Sequence, residues 1–252
     1  MITRLPNNIL YSHAKNIYNH NTSSPKSWFH QIRNLCLQYD LPHPSVLLSS
    51  QLTKQTYKNL IKKHVIDYWE TKLQSESAKL PSLEFFHPQF FSLTAPHPIW
   101  TTTGYSPTKV SMATVQAQML SGRYRTELLC SNWSKNTSGH CLLSSTCKVP
   151  EDITHILKCC KSLGSTREKL ISFTASYCDD NPDIKDLVQL FCTPANPKFC
   201  QFLLDCSTLP EVISSVQKNG SNVLKHLFNI TRIWCYSIHR ERLKILGRWN
   251  RF

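Results

Sequence analysis

The chain has 252 residues, long enough to bury a core in one large domain or two small ones. Its 29 Lys and Arg against 16 Asp and Glu leave +13, which favours a polyanionic partner such as nucleic acid over a small acidic metabolite. No stretch approaches the ~20 apolar residues of a membrane span, and Met1-Ile2-Thr3-Arg4-Leu5 opens no secretory signal, so eleven cysteines, an odd count, read as reduced thiols and a metal site in a nuclear or cytoplasmic, non-secreted protein.

Residues 1–23 are polar, rich in Asn and His and without a sustained period; they read as a loose lead-in. Ser24-Pro25 pairs a capping residue with a first-turn proline, and Trp28, Ile32, Leu35, Cys36 and Tyr39 follow at helical spacing. Asp40-Leu41-Pro42-His43-Pro44 ends that helix. After the short apolar piece 46–48, Thr53 is placed to cap a long helix with Leu60, Ile61, His64, Val65, Tyr68, Trp69 and Leu73 on one face. Between 80 and 107, five prolines and the rings of Phe85, Phe86, Phe90, Phe91 and Trp100 predict an irregular crossover whose aromatics pack between helical layers. Ser106-Pro107 opens the next helix, with Val110, Ala113, Ala117 and Leu120 on its buried face and Ser121-Gly122 near its end. Arg123-Tyr124-Arg125 then sets two guanidinium groups around a ring, a combination suited to phosphates and a stacked base.

The stretch from Cys141 to Cys160 carries the chemistry. Cys141 and Cys147 flank a five-residue loop, His155 follows after seven residues, and Cys160 after four more. Three sulfurs and one imidazole are a common tetrahedral set for Zn²⁺, although the first gap is wider than in the best-known fingers. Pro150, Glu151 and Asp152 are expected in the first turn of a short helix bearing His155, with Cys160 folding back on the Cys141–Cys147 loop. Cys159 and His140 are the rival ligands; helical geometry turns Cys159 and Cys160 in different directions.

Beyond this knuckle, Asn181-Pro182, Asn196-Pro197 and Leu209-Pro210 each precede an apolar periodic run, and Asn219-Gly220 closes the last of these. Ser221 is expected to cap a long final helix with Leu224, Leu227, Phe228, Ile230, Trp234 and Ile238 inward. Its basic end holds Arg240, Arg242 and Lys244, and the tail adds Trp249 among arginines. Strict alternation nowhere outcompetes helical periods, and no period of 20–50 residues repeats. The expected fold is mostly α, with a small embedded Cys-Cys-His-Cys zinc knuckle. Its expected parts are the lead-in 1–23, a helical region 24–126, the knuckle 127–165 and a helical region 166–252.

Leu120-Ser121-Gly122-Arg123-Tyr124-Arg125-Thr126, Gly139, Cys141, Cys147, Glu151-Asp152, His155-Ile156-Leu157 and Cys160 together resemble the segment after the reverse transcriptase in jockey-like non-LTR retrotransposon polyproteins. Ile66-Asp67-Tyr68-Trp69 and the Thr231–Tyr236 stretch look like the same segment, so the likeness spans roughly residues 27–250 and is most specific at 120–160. The resemblance implies a zinc-binding knuckle and a nucleic-acid-binding part without the polymerase palm or the endonuclease. Tyr177-Cys178-Asp179-Asp180 imitates a Tyr-x-Asp-Asp polymerase box, but it follows the knuckle instead of preceding it and runs directly into Asn181-Pro182.

The chain is therefore expected to be no enzyme. Deaminase, serine-hydrolase, phosphate-loop and His-Glu-x-x-His signatures are absent, and four protein ligands leave zinc no open position. The expected cofactor is one structural Zn²⁺ on Cys141, Cys147, His155 and Cys160. The expected partner is RNA or single-stranded DNA, held mainly through phosphates by Arg123, Tyr124, Arg125, Arg240, Arg242, Lys244 and Trp249, with no membrane and no small-molecule substrate. The competing readings are a metal-free helical scaffold that binds protein, and a decayed fragment without selected function.

Overall fold

The computed structural model of the chain describes residues 27–49 and 53–247, with a few isolated positions before them; Ser24-Pro25 and Trp249 lie outside the described residues. The fold is mostly helical. Among the described residues the only β pairing is one isolated antiparallel bridge, His140 to Pro150. The chain divides into two compact units, Met1–Glu76 and Ser77–Phe252.

In the first unit the hydroxyl of Ser27 accepts from the His30 amide at 3.1 Å and caps α1 (Trp28–Gln38). The buried face also differs from expectation. Phe29 and Cys36, two turns apart, are buried, whereas Trp28 and Leu35 are exposed. After α2 (Pro44–Ser49), Thr53 accepts from the Thr56 amide at 3.1 Å and starts α3 (Lys54–Ser77) as expected. Tyr39 meets Tyr68 edge-on at 4.9 Å, and this joins the end of α1 to α3. The predicted apolar stripe of α3 is only half-buried, and Trp69 is exposed.

The second unit owns a continuous core. It consists of α4 (Pro98–Thr101), α5 (Pro107–Leu120), α6 (Glu127–Ser131), α7 (Gly164–Asp179), α8 (Lys185–Phe191), α9 (Phe199–Asp205), α10 (Pro210–Asn219) and α11 (Asn222–Ile245), with short 3₁₀ turns between several of them. The last helix is its axis: α11 packs against α5, α7, α9 and α10. Trp234, Phe228, Ile230 and Ile238 are fully buried, and the Trp234 indole N–H donates to Thr174 Oγ1 at 2.8 Å, which satisfies the one polar atom of the largest core side chain. Ser221 precedes α11 but makes no side-chain cap. Phe85, Phe86 and Phe91 of the proline-rich crossover pack on this core, whereas Phe90 and Trp100 remain exposed.

Helix α5 buries a wider face than predicted, with Val110 the exception. Ala113 and Leu120 are buried but Val110 is exposed, and Gln116 is fully buried, its amide donating to Leu203 O at 2.7 Å and Thr231 Oγ1 at 3.0 Å. At its end Gly122 adopts φ +66°, where a Cβ would lie 2.6 Å from Ser82 O, so glycine is required twice over. The turn returns the amides of Arg123 and Tyr124 to Gln118 O, both at 2.9 Å, and sends the chain into α6 and the knuckle.

The Tyr177-Cys178-Asp179-Asp180 stretch is the C-terminal end of α7, with Cys178 buried and Asp179 exposed and paired with Lys185 at 3.1 Å. No helix among the described residues is long and apolar enough to cross a membrane.

Candidate metal centre

A two-stranded pinch builds the first half of the site. The Cys141 amide donates to Val149 O and the Glu151 amide to Gly139 O, both at 3.0 Å, and Gly139 takes φ +72° to let the chain enter. The pinch closes the loop that carries Cys147. Pro150 is thus part of the bridge and not the first residue of a helix, a correction to the sequence reading. The helix starts later, where Asp152 Oδ1 accepts the His155 amide at 2.6 Å.

The second half is a π turn, His155–Cys159, closed by the Cys160 amide on His155 O at 2.8 Å. In an α-helix, residues five apart point ~140° away from each other. The wider i→i+5 turn brings His155 and Cys160 to the same side, and π turns of this kind concentrate at functional sites.

Cys141, His155 and Cys160 are all buried, with ligating atoms within 4.8 Å of one another. Cys141 Sγ lies 3.8 Å from Cys160 Sγ, and Cys147 Sγ, outside that tightest set, lies 3.5 Å from His155 Nε2. Bond lengths of 2.3 Å for Zn–S and 2.0–2.1 Å for Zn–N imply tetrahedral edges of ~3.8 Å between sulfurs and ~3.6 Å between sulfur and nitrogen. The Cys141–Cys160 and Cys147–His155 separations fit those edges. A disulfide needs sulfurs at about 2.05 Å, so Cys141 and Cys160 are not bonded to each other. His155 Nδ1 is buried without a hydrogen-bond partner among the described residues, so the ring is oriented from its Nε2 side.

Clustering thiols in this way is costly without a cation. Burial first, then Cys160 and Cys147 beside it, pushes Cys141 up to about 12, although an amide hydrogen bond at Leu143 works the other way. A divalent cation reverses that preference by holding the thiols as thiolates. The site can hold a metal such as zinc. The rival ligands point elsewhere: Cys159 and His140 are exposed.

The knuckle is fastened to the core by an ion pair that the sequence reading did not foresee. Glu151 is fully buried, accepts the Glu127 amide at 3.1 Å and pairs with Arg242 at 2.5 Å. Burial works against the Arg242 charge, but Tyr124 and Glu151 more than offset it and its pKa is raised. The guanidinium also lies over the Tyr124 ring, 5.5 Å from its centre, and the Tyr124 hydroxyl is 3.0 Å from His239 Nδ1. Burial, with Arg242 beside it, pulls His239 down to about 4.

Two expected nucleic-acid contacts are corrected by this network. Tyr124 and Arg242 are buried, because a ring and a guanidinium that partner a buried carboxylate are unavailable to bases and phosphates. Arg123, Arg125, Arg240 and Lys244 are on the surface, the last of these beside Glu241 at 3.9 Å. Trp249 lies outside the described residues. An exposed ring that the sequence reading passed over, Trp133, follows α6 on the approach to the knuckle. Its polar setting, Ser131-Asn132-Trp133-Ser134-Lys135, was the available signal.

No protein-family model, curated protein or solved structure matches the chain.

Proposed function

We propose that the chain is a non-catalytic nucleic-acid-binding module whose knuckle is held by one structural Zn²⁺ on Cys141, Cys147, His155 and Cys160, and that it corresponds to the post-polymerase segment of a jockey-like non-LTR retrotransposon polyprotein. The observation that carries the reading is the buried triad of Cys141, His155 and Cys160, with ligating atoms within 4.8 Å of one another and the Cys147 sulfur 3.5 Å from His155 Nε2. Four protein ligands leave no position for a reacting water, so the ion's role is to hold the hairpin to the π turn. Purified protein is expected to carry one zinc per chain by elemental analysis, and Cys160→Ser to lose it; zinc-free folded protein would overturn the metal reading.

The nucleic-acid part is supported by the net charge of +13 and by the exposed cations Arg123, Arg125, Arg240 and Lys244. Binding through phosphates makes log affinity fall linearly with log salt, with a slope of about −0.7 per neutralised phosphate on single strands. The Arg123→Ala, Arg125→Ala double variant is expected to flatten that slope by roughly one to two units. Neutralising Lys62 and Lys63 is the control for total charge, and equal losses from both pairs would count against a localised site. With Tyr124 buried, Trp133 becomes the ring available for an unpaired base; Trp133→Ala is expected to weaken single-strand binding about tenfold at an unchanged salt slope.

A further inference from the structure

Arg167, in the first turn of α7, is buried beside the metal centre. Its two terminal nitrogens donate to main-chain carbonyls of the π turn, one to Ile156 O at 3.4 Å and the other to Cys160 O. Among the described residues it forms no ion pair with a carboxylate. A guanidinium in a protein interior calls for a negative partner, since removing the charge from water is expensive. The ionisable groups that act on it are Cys160, then Cys159 and Glu168, and the last two are exposed. Lys161 is exposed nearby and Lys158 is half-buried. The buried ionisable residue that Arg167 touches is therefore Cys160, through its main-chain carbonyl.

Three thiolates and a neutral imidazole around Zn²⁺ leave one net negative charge in a buried site. We infer that Arg167 is the counter-charge of the metal centre, a positioning residue whose positive charge neutralises the zinc–thiolate cluster. The inference rests on the metal reading above. It assigns the buried cation a role that carbonyl hydrogen bonds alone do not require, because carbonyls also accept from neutral donors. Partners just outside a metal's ligand set typically alter affinity 10- to 100-fold when they are replaced.

The test is the zinc affinity of the full chain, measured by competition with a chromophoric chelator. Arg167→Met, which keeps the length and loses the charge, is expected to weaken zinc binding roughly 10- to 100-fold, and Arg167→Lys to stay within about threefold of the parent. The discriminating arm changes the charge of the site itself. Cys147→His turns it into a two-thiolate, two-imidazole set that is neutral with Zn²⁺. In that background Arg167→Met should cost little, whereas a merely structural arginine would cost the same in both. An equal loss in the two backgrounds, or a tenfold loss in Arg167→Lys, overturns the inference. Should Arg167→Met fail to fold or Cys147→His fail to bind, the lysine variant decides alone by the same limits. A parent chain that binds no zinc fails differently: it removes the metal reading, and with it this one.

Discussion

Glu151 and Arg242 sit 91 positions apart, and their contact at 2.5 Å is the one buried carboxylate–guanidinium pair among the described residues. Breaking such a pair by removing one partner leaves a charge without compensation and costs about 3–5 kcal/mol, whereas replacing both with apolar residues is often neutral. Glu151→Gln is thus expected to destabilise the protein by that amount in urea unfolding, and Glu151→Leu with Arg242→Met to recover most of it. If the single variant lost less than ~1 kcal/mol, the pair would be acting as a surface salt bridge does. His239 belongs to the same cluster and titrates against it. Its folded pKa, about 4, lies below the ordinary value of 6.5, so the unfolded chain binds the extra proton. Stability is therefore full above pH ~6.5 and falls as the pH drops from 6.5 towards 4. His239→Gln should flatten that limb by on the order of 1–2 kcal/mol after allowance for solvent screening of a half-buried ring. A pH series of unfolding curves measures the difference, and identical acid limbs would show that His239 titrates normally.

At the scale of elements, the hairpin at 139–151 has little apolar surface of its own: Cys141 and Leu143 are its buried hydrophobic side chains. Its order depends on the pinch and the Glu151 pair, and on the proposed ion. Removing zinc with a chelator is expected to open protease sites within 139–163 while the helical signal in far-ultraviolet circular dichroism stays largely intact, because none of the four ligands lies on α5, α7, α9, α10 or α11. Unchanged cleavage after verified zinc loss would mean that the hairpin stands without it. Gly122 is the other element-level constraint. Gly122→Ala must hold φ near +66° and push against a main-chain oxygen, Ser82 O, at 2.6 Å. It is expected to lower stability by about 1–3 kcal/mol, measured as a shift in the urea midpoint at constant slope.

For the whole molecule, the decisive feature is that the continuous core runs from Ile99 to Ile238, with partly buried companions from Phe85 to Leu246, all within the unit Ser77–Phe252. A chain begun at Ser77 is therefore expected to unfold cooperatively and to keep its zinc. Loss of either would show that residues before 77 complete the core. The knuckle expected at 127–165 is not a separate body on this view. Cys141, Leu143, Ile156, Leu157, Cys160 and Leu163 belong to the same cluster as Trp234 and Phe228.

Local signals carried the reading of helix content and of the ligand set. Thr53 and Ser106 cap where their hydroxyls reach the third amide onward, Pro210 opens α10, and Gly220 ends it at φ +85°. These are contacts among residues three or four apart, so they are written in adjacent letters of the sequence. The grouping of Cys141, His155 and Cys160, with Cys147 nearby, was equally legible, since donors that meet must do so through short loops. The direction of the charges was not. Arg242 falls four residues after Ile238 and seven after Cys235, on the buried stripe of α11, yet its place in a basic run suggested the surface. Whether a guanidinium on such a stripe turns out to solvent or inward depends on an acid arriving from elsewhere, and Glu151 arrives through the pinch of Gly139 against Glu151. Arg167 is the same case, for its partners are carbonyls freed by a π turn that no local pattern announces. Helices and ligand spacing follow from short-range geometry, whereas burial of charge is settled only when distant segments supply the compensating group.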